Sequence, residues 1–167
     1  MKTWVITDTH WGQKAGHWRP ADADSRTFEA WRRLVAPDDL IIHLGDVSLV
    51  QNAELDSSVH RLLQALPGRK WLTLGNHDRR SMAWYLAHGW HAVARTFGFG
   101  WYGERLLFSH EPVTWDGWYS VNVHGHFHVD GHRVDEPQYA TIMTDRHALV
   151  ALEQTNYQPM LLQTVVE

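Results

Sequence analysis

The sequence predicts a layered α/β protein, and three observations lead there. Up to about residue 90, short apolar runs alternate with helical stripes in the order β-α-β-α-β-α, which argues for a mostly parallel sheet covered by helices. From His91 onward, strand-like pieces and turn signals replace the stripes, so a second sheet is expected against the first, with helices on the outer faces. The predicted strands also end, one after another, in acidic, amide or imidazole side chains, which is where open α/β sheets build their ligand sites.

The elements follow in order. Trp4-Val5-Ile6 is a short apolar run that stops at Thr7-Asp8 and reads as the first strand. Asp22 or Asp24 can cap a helix carrying Phe28, Trp31, Leu34 and Val35 at helical spacing, and Pro37 stops it. Residues 40–44 form a buried-type strand halted by Gly45. Leu55, Val59, Leu62, Leu63 and Leu66 make a second stripe, read as core and closed by Pro67-Gly68. Residues 71–74 are the third strand, halted by Gly75, and a short helix over 82–86 ends near Gly89. The second half offers strands at 92–97, 105–109, 121–124, 139–143, 149–152 and 160–166.

Composition narrows the function. The 167 residues form one continuous domain, 1–167, without repeats or linkers. With 44% hydrophobic and 20% charged residues, disorder is excluded. No apolar run reaches the roughly 18–20 residues of a membrane span, and Asp8 interrupts the start too early for a signal peptide. A cytoplasmic location and no membrane partner are expected. The chain has no cysteine, so thiolate metal sites are out. A net charge of −4 counts against a protein that coats nucleic acid.

The 13 histidines matter by position. The strand ends carry Asp8-Thr9-His10, Gly45-Asp46, Gly75-Asn76-His77-Asp78, His110 and Gly125-His126-Phe127-His128. Asp8, His10, Asp46, Asn76, His110, His126 and His128 offer oxygen and imidazole nitrogen, a mixture suited to Mn, Fe, Co, Ni or Zn. That set exceeds the needs of one tetrahedral ion and matches two ions that share a carboxylate. Asp8 and His10 are one residue apart, as are His126 and His128, so each pair faces one way on an extended chain. Glycine before Asp46, Asn76 and His126 suits a backbone that turns sharply and packs closely.

The blocks D-x-H, G-D, G-N-H-D, a lone His and G-H-x-H, in that order, resemble the calcineurin-like metallophosphoesterases. His43-Leu44-Gly45-Asp46 and Ser109-His110-Glu111-Pro112 are similar to the short bacterial and phage members. The resemblance implies a β-sandwich of two mixed sheets flanked by helices. It implies that Asp8, His10 and His128 hold one divalent ion, that Asn76, His110 and His126 hold the other, and that Asp46 bridges them. Manganese is the first expectation, with Fe, Zn, Ni or Co as alternatives. A metal-bridging hydroxide is the implied nucleophile, attacking phosphorus in line. His77 is the implied transition-state stabiliser and general acid, with Asp78 orienting it or supporting the site. The expected activity is hydrolysis of a small phosphoester, nucleotides included, with a lean towards diesters. The alternatives are a phosphomonoesterase, a nucleic-acid end-processing nuclease or repair phosphatase, and a non-enzymatic metal-bound scaffold. The sequence departs from the protein Ser/Thr phosphatases at Val47-Ser48-Leu49, and Gln13 stands where close relatives carry a histidine.

Other residues have two readings. Trp11, Trp18, Trp115 and Trp118 flank the blocks and either stack on a base or sugar or pack loops. Arg19, Arg79, Arg80 and Arg133 either bind a second phosphate, with Arg79 and Arg80 best placed, or form a solvated face. His43 and His124 sit behind the site or in the core, and His60, His88, His91 and His147 are read as surface. The His17-Trp18 loop and Asp130-Gly131-His132 are left unassigned.

Overall fold

The computed structural model describes residues 1–16, 19–50, 52–101, 103–128 and 136–167. The expectations about His17, Trp18, Asp130, His132 and Arg133 fall outside the described residues. Two mixed sheets form the framework, as predicted. The first contains β1 (Thr3–Ile6), β2 (Leu40–His43), β3 (Arg69–Thr73), β4 (Ala92–Ala94) and β9 (Met160–Leu161) in the order β4-β3-β2-β1-β9. Its neighbours run parallel except β9, which pairs antiparallel with β1. The second contains β5 (Thr96–Trp101), β6 (Glu104–Ser109), β7 (Val121–His124) and β8 (His147–Leu149) in that order, with β5 antiparallel to β6.

Strand alternation sorts the core into two layers. Val5, Ile42 and Leu44 meet Leu106, Phe108 and Val123 between the sheets. Trp4, Ile6, Ile41 and Leu72 face the other way, onto Trp31, Leu63, Tyr85 and Trp90 from the helical layer. That layer is α1 (Ala23–Leu34), α2 (Ala53–Gln64) and α3 (Met82–Ala87). Asn52 caps α2 by accepting from the Glu54 and Leu55 amides, and Ser81 caps α3 by accepting from Trp84. Asp22 stands at the N-cap of α1 without a side-chain cap bond and instead pairs with Arg26 at 2.8 Å.

Several expectations change. The run 92–97 is two strands, one in each sheet, because the chain crosses over at Arg95. Residues 139–143 are not a strand; Pro137, with its fixed φ, starts the short helix α4 (Pro137–Ala140). After β9 the chain turns into α5 (Leu162–Val166), which buries Leu162 between the sheets. Leu55 and Leu62 of the α2 stripe are exposed, so the core face of that helix is Val59, Leu63 and His60. His60 is buried rather than on the surface, because it accepts from Trp90 Nε1 at 3.1 Å and packs against Trp84 and Tyr85. No helix among the described residues is long and apolar enough to cross a membrane.

Candidate metal centre

The C-terminal ends of β1, β2, β3, β6 and β7 converge. The loop after β1 is laced to the loop after β2 by Asp8 N to Gly45 O at 3.0 Å, His10 N to Asp46 O at 3.0 Å and Trp11 N to Val47 O at 2.8 Å. Asp8, His10, Asp46, His126 and His128 all have positive φ, between 44° and 72°. That left-handed backbone costs an ordinary residue about 1–2 kcal/mol, so each ligand is aimed against its own preference. Gly75 and Gly125 make the approach possible. A Cβ at Gly75 would stand 2.2 Å from Asp46 Oδ1, and one at Gly125 would stand 2.0 Å from Thr7 Oγ1 and 2.5 Å from Asp8 Oδ2.

Two groups of side chains result: Asp8, His10 and His128, and Asp46, His110 and His126. Within each group the ligand atoms lie within 4.8 Å of one another. In the first, Asp8 Oδ1 lies 3.7 Å from His10 Nε2 and 3.8 Å from His128 Nε2. In the second, His110 Nε2 lies 3.0 Å from His126 Nδ1, 3.0 Å from Asn76 Oδ1 and 3.4 Å from Asp46 Oδ2. Asn76 Oδ1 thus lies against the second group. Asp46 Oδ2 is also 3.9 Å from His10 Nε2, so one carboxylate touches both groups.

These residues suit metal cations. His110 Nδ1 donates to the Leu44 carbonyl at 2.8 Å, which turns the Nε2 lone pair inward. Tyr139 donates its hydroxyl to Glu111 at 2.8 Å and lies 3.2 Å from His126 Nε2, leaving His126 Nδ1 to face the cluster. His128 Nδ1 donates to Glu153 at 2.7 Å. Acceptor atoms therefore meet acceptor atoms. Asp8 Oδ1 and His10 Nδ1 are buried without a hydrogen-bond partner among the described residues, a costly arrangement that a bound cation would relieve at the carboxylate.

Electrostatics agree. Burial raises the Asp8 carboxyl above its usual range, so its charge needs a neighbouring cation. Burial also takes His10 down to about 3, against the pull of Asp46, so its imidazole is neutral and available as a ligand. Burial opposes charge on His110, yet hydrogen bonding to Asp46 and the charges of Asp8 and Asp46 lift it to about 9. The cluster draws positive charge to its centre.

His77 stands at the edge, its side chain 37% exposed, with Nε2 3.9 Å from Asp46 Oδ2. Asp78 does different work. Its carboxylate accepts from the amides of Gly75 and Asp46, each at 2.8 Å, and of Val47 at 3.0 Å, clamping two loops together. Burial raises Asp78 to about 7, against the pull of those amides. Behind the site, buried His43 bonds Thr9, which lies between Asp8 and His10. Glu153 and Tyr139 support candidate ligands yet escaped the sequence reading, and Glu111, which follows His110 in its block, was given no role there. Glu153 and Tyr139 lie outside the five blocks, at no spacing that marks them. Arg19 is buried, donates to the Thr9 carbonyl at 2.9 Å and pairs with Asp24, so it braces a loop instead of facing substrate. Trp11 is buried as packing, whereas Trp115 and Trp118 are exposed.

The fold has a known counterpart. A protein of unknown function from Aquifex aeolicus superposes over 99% of this chain and 97% of its own, with a TM-score of 0.75 and 20% identity. A novel archaeal phosphodiesterase aligns over 75% of this chain and 73% of its own, with a TM-score of 0.49 and 20% identity. The Gene 66 protein of Mycobacterium phage D29 is 37% identical over 81 residues, 46% of this chain and 40% of that relative, so the match spans less than half of the relative's length. The family model for calcineurin-like phosphoesterases matches residues 1–154, a stretch that holds every candidate ligand, and the chain belongs to that family.

Proposed function

We propose that the protein is a two-metal phosphoester hydrolase with a preference for diesters. One observation carries this reading: Asp46 Oδ2 lies 3.9 Å from His10 Nε2 in one group and 3.4 Å from His110 Nε2 in the other. A single carboxylate in contact with both groups is what paired ions require. Asp8, His10 and His128 would hold one ion, Asn76, His110 and His126 the other, and Asp46 would bridge. When bound, such ions polarise a phosphoryl group and supply a hydroxide nucleophile near neutral pH.

The protein's own residues do the rest. Glu153 and Tyr139 fix the rings of His128 and His126, so the ligands need no reorganisation. Asp78 is a positioning residue, since its carboxylate accepts from the amides of Asp46, of Val47 after it and of Gly75 before Asn76. His77 is both close to the centre and open to solvent, so it can protonate a departing oxygen and stabilise charge at phosphorus. The lean towards diesters rests on space. The loop after β3 lines one cavity of about 470 Å³ with Gly75 and Asn76, and another of about 370 Å³ with His77 to Arg80. A diester has two organic arms to seat, and a monoester has one. Manganese is the first metal to supply, and a nucleotide-sized phosphoester is the substrate class.

The test is hydrolysis of bis-p-nitrophenyl phosphate and p-nitrophenyl phosphate by manganese-loaded protein, with His77→Ala beside it. The diester should turn over faster. His77→Ala should lose about 10²–10⁴-fold in kcat while keeping its metal. Faster monoester cleavage would make the protein a phosphomonoesterase. Neither ester cleaved, by protein shown to hold two ions, would leave the non-enzymatic scaffold, and an unaffected His77→Ala would remove His77 from the reaction.

A further inference from the structure

The cavity beside His77 contains more than an organic arm needs. Arg79 and Arg80 both line it, together with Ser48 and Val50. Arg80 is held in place: its Nε donates to Asp56 at 3.0 Å, and its guanidinium lies 5.4 Å from the ring centre of Trp84. That leaves the two terminal nitrogens of Arg80 without hydrogen bonds among the described residues. Arg79 is exposed and makes no ion pair among the described residues. The acidic groups nearby are already engaged, Asp56 by Arg80 and the Asp78 carboxylate by three backbone amides. Asp56 and Asp78 also line the cavity, but with those groups engaged, the free donors there are the guanidinium N–H groups of Arg79 and Arg80.

A guanidinium fixed by a carboxylate and an aromatic ring presents its remaining N–H groups in a set direction, which suits the planar bidentate recognition of phosphate oxygens. We propose that Arg79 and Arg80 form a subsite for a second phosphate, carried by the leaving group of the substrate. This rests on the reading above that His77 faces the leaving oxygen, since His77 lines the same cavity. The preferred substrate is then a phosphodiester whose leaving alcohol bears a further phosphate, as a nucleoside phosphate or the next link of a nucleic-acid strand does.

Binding tests this apart from turnover. Calorimetry on manganese-loaded protein compares thymidine 3′,5′-bisphosphate with thymidine 5′-monophosphate and thymidine 3′-monophosphate. The bisphosphate should bind on the order of tenfold more tightly than either, with a gain that shrinks as salt rises. Arg79→Ala and Arg80→Gln should each remove most of that gain, and Arg61→Ala, a charge lost on exposed α2, should keep it. Adding the trinucleotide TpTpT separates the two sources. A gain shared by TpTpT points to the next phosphate of a strand, and a gain confined to the bisphosphate points to a terminal phosphate. Equal affinity for mono- and bisphosphate, or a gain that survives both arginine changes, overturns the subsite. Because Arg79 is exposed, its variant reports on binding even if Arg80→Gln fails to fold. Failure of the hydrolase reading shows separately, as bis-p-nitrophenyl phosphate left uncleaved.

Discussion

The two candidate metal groups are built from similar side chains but held differently. His110 and His126 of the second group are buried and tied to the Leu44 carbonyl and to Tyr139, and Asn76 closes on them from β3. In the first group, Asp8 Oδ1 and His10 Nδ1 are buried without hydrogen-bond partners among the described residues, and the side chain of His128 is 18% exposed. The second group is thus organised by the protein itself. The first holds an unmet need for charge, so an ion there should change the protein's stability more. Asp46 is where the two designs meet.

The largest expected effect comes from removing that meeting point. Asp46→Asn keeps the shape and deletes the charge shared by both groups. Several kcal/mol of transition-state stabilisation should disappear, on the order of a thousandfold in rate. Metal analysis should show fewer than two ions per chain, and the rise in Tm on adding manganese should shrink. Two retained ions with unchanged turnover would mean that Asp46 bridges nothing.

The glycines break the groups one at a time. In Gly125→Ala the new methyl meets Thr7 and Asp8, so the first group should suffer. In Gly75→Ala it meets the Asp46 carboxylate and amide, so both should suffer. Such overpacking costs typically about 1–3 kcal/mol, which thermal unfolding will show. Metal content separates them, since Gly125→Ala should keep the ion at the second group and Gly75→Ala should weaken both. Identical metal loss in the two variants would mean that the groups are not separable.

How much of this was legible in the sequence follows from where the residues sit. Asp8, Asp46, His110 and His126 stand where a strand ends, so a short motif marks both the element and the candidate ligand. What stayed hidden depends on long-range placement. Hydrophobicity cannot show that residues 92–97 change sheets at Arg95. It reads Leu55 and Leu62 as core because they recur at helical spacing, although α2 buries a neighbouring face. His60 looks like a surface residue until Trp90, 30 residues on, donates to it. Glu153 and Tyr139 reach their histidines from segments that read as plain apolar strands.

Those two residues give the finest comparison of the groups. Glu153 accepts from His128 Nδ1 at 2.7 Å, a charged partner that makes the ring a stronger ligand. Tyr139 sits 3.2 Å from His126 Nε2 and supports a ring that the second group already holds through His110. Partners of this kind are typically worth about 10–100-fold in metal affinity. Glu153→Gln should lie towards the upper end, because it removes a charge from the group that the protein organises least. Tyr139→Phe should lie towards the lower end, because the contacts of His110 with Leu44 and Asn76 survive. Manganese titrations of the two variants, followed by electron paramagnetic resonance, will rank them. If Tyr139→Phe costs more than Glu153→Gln, then hydrogen bonding within the second group, and not the charge deficit of the first, governs how tightly the centre holds metal.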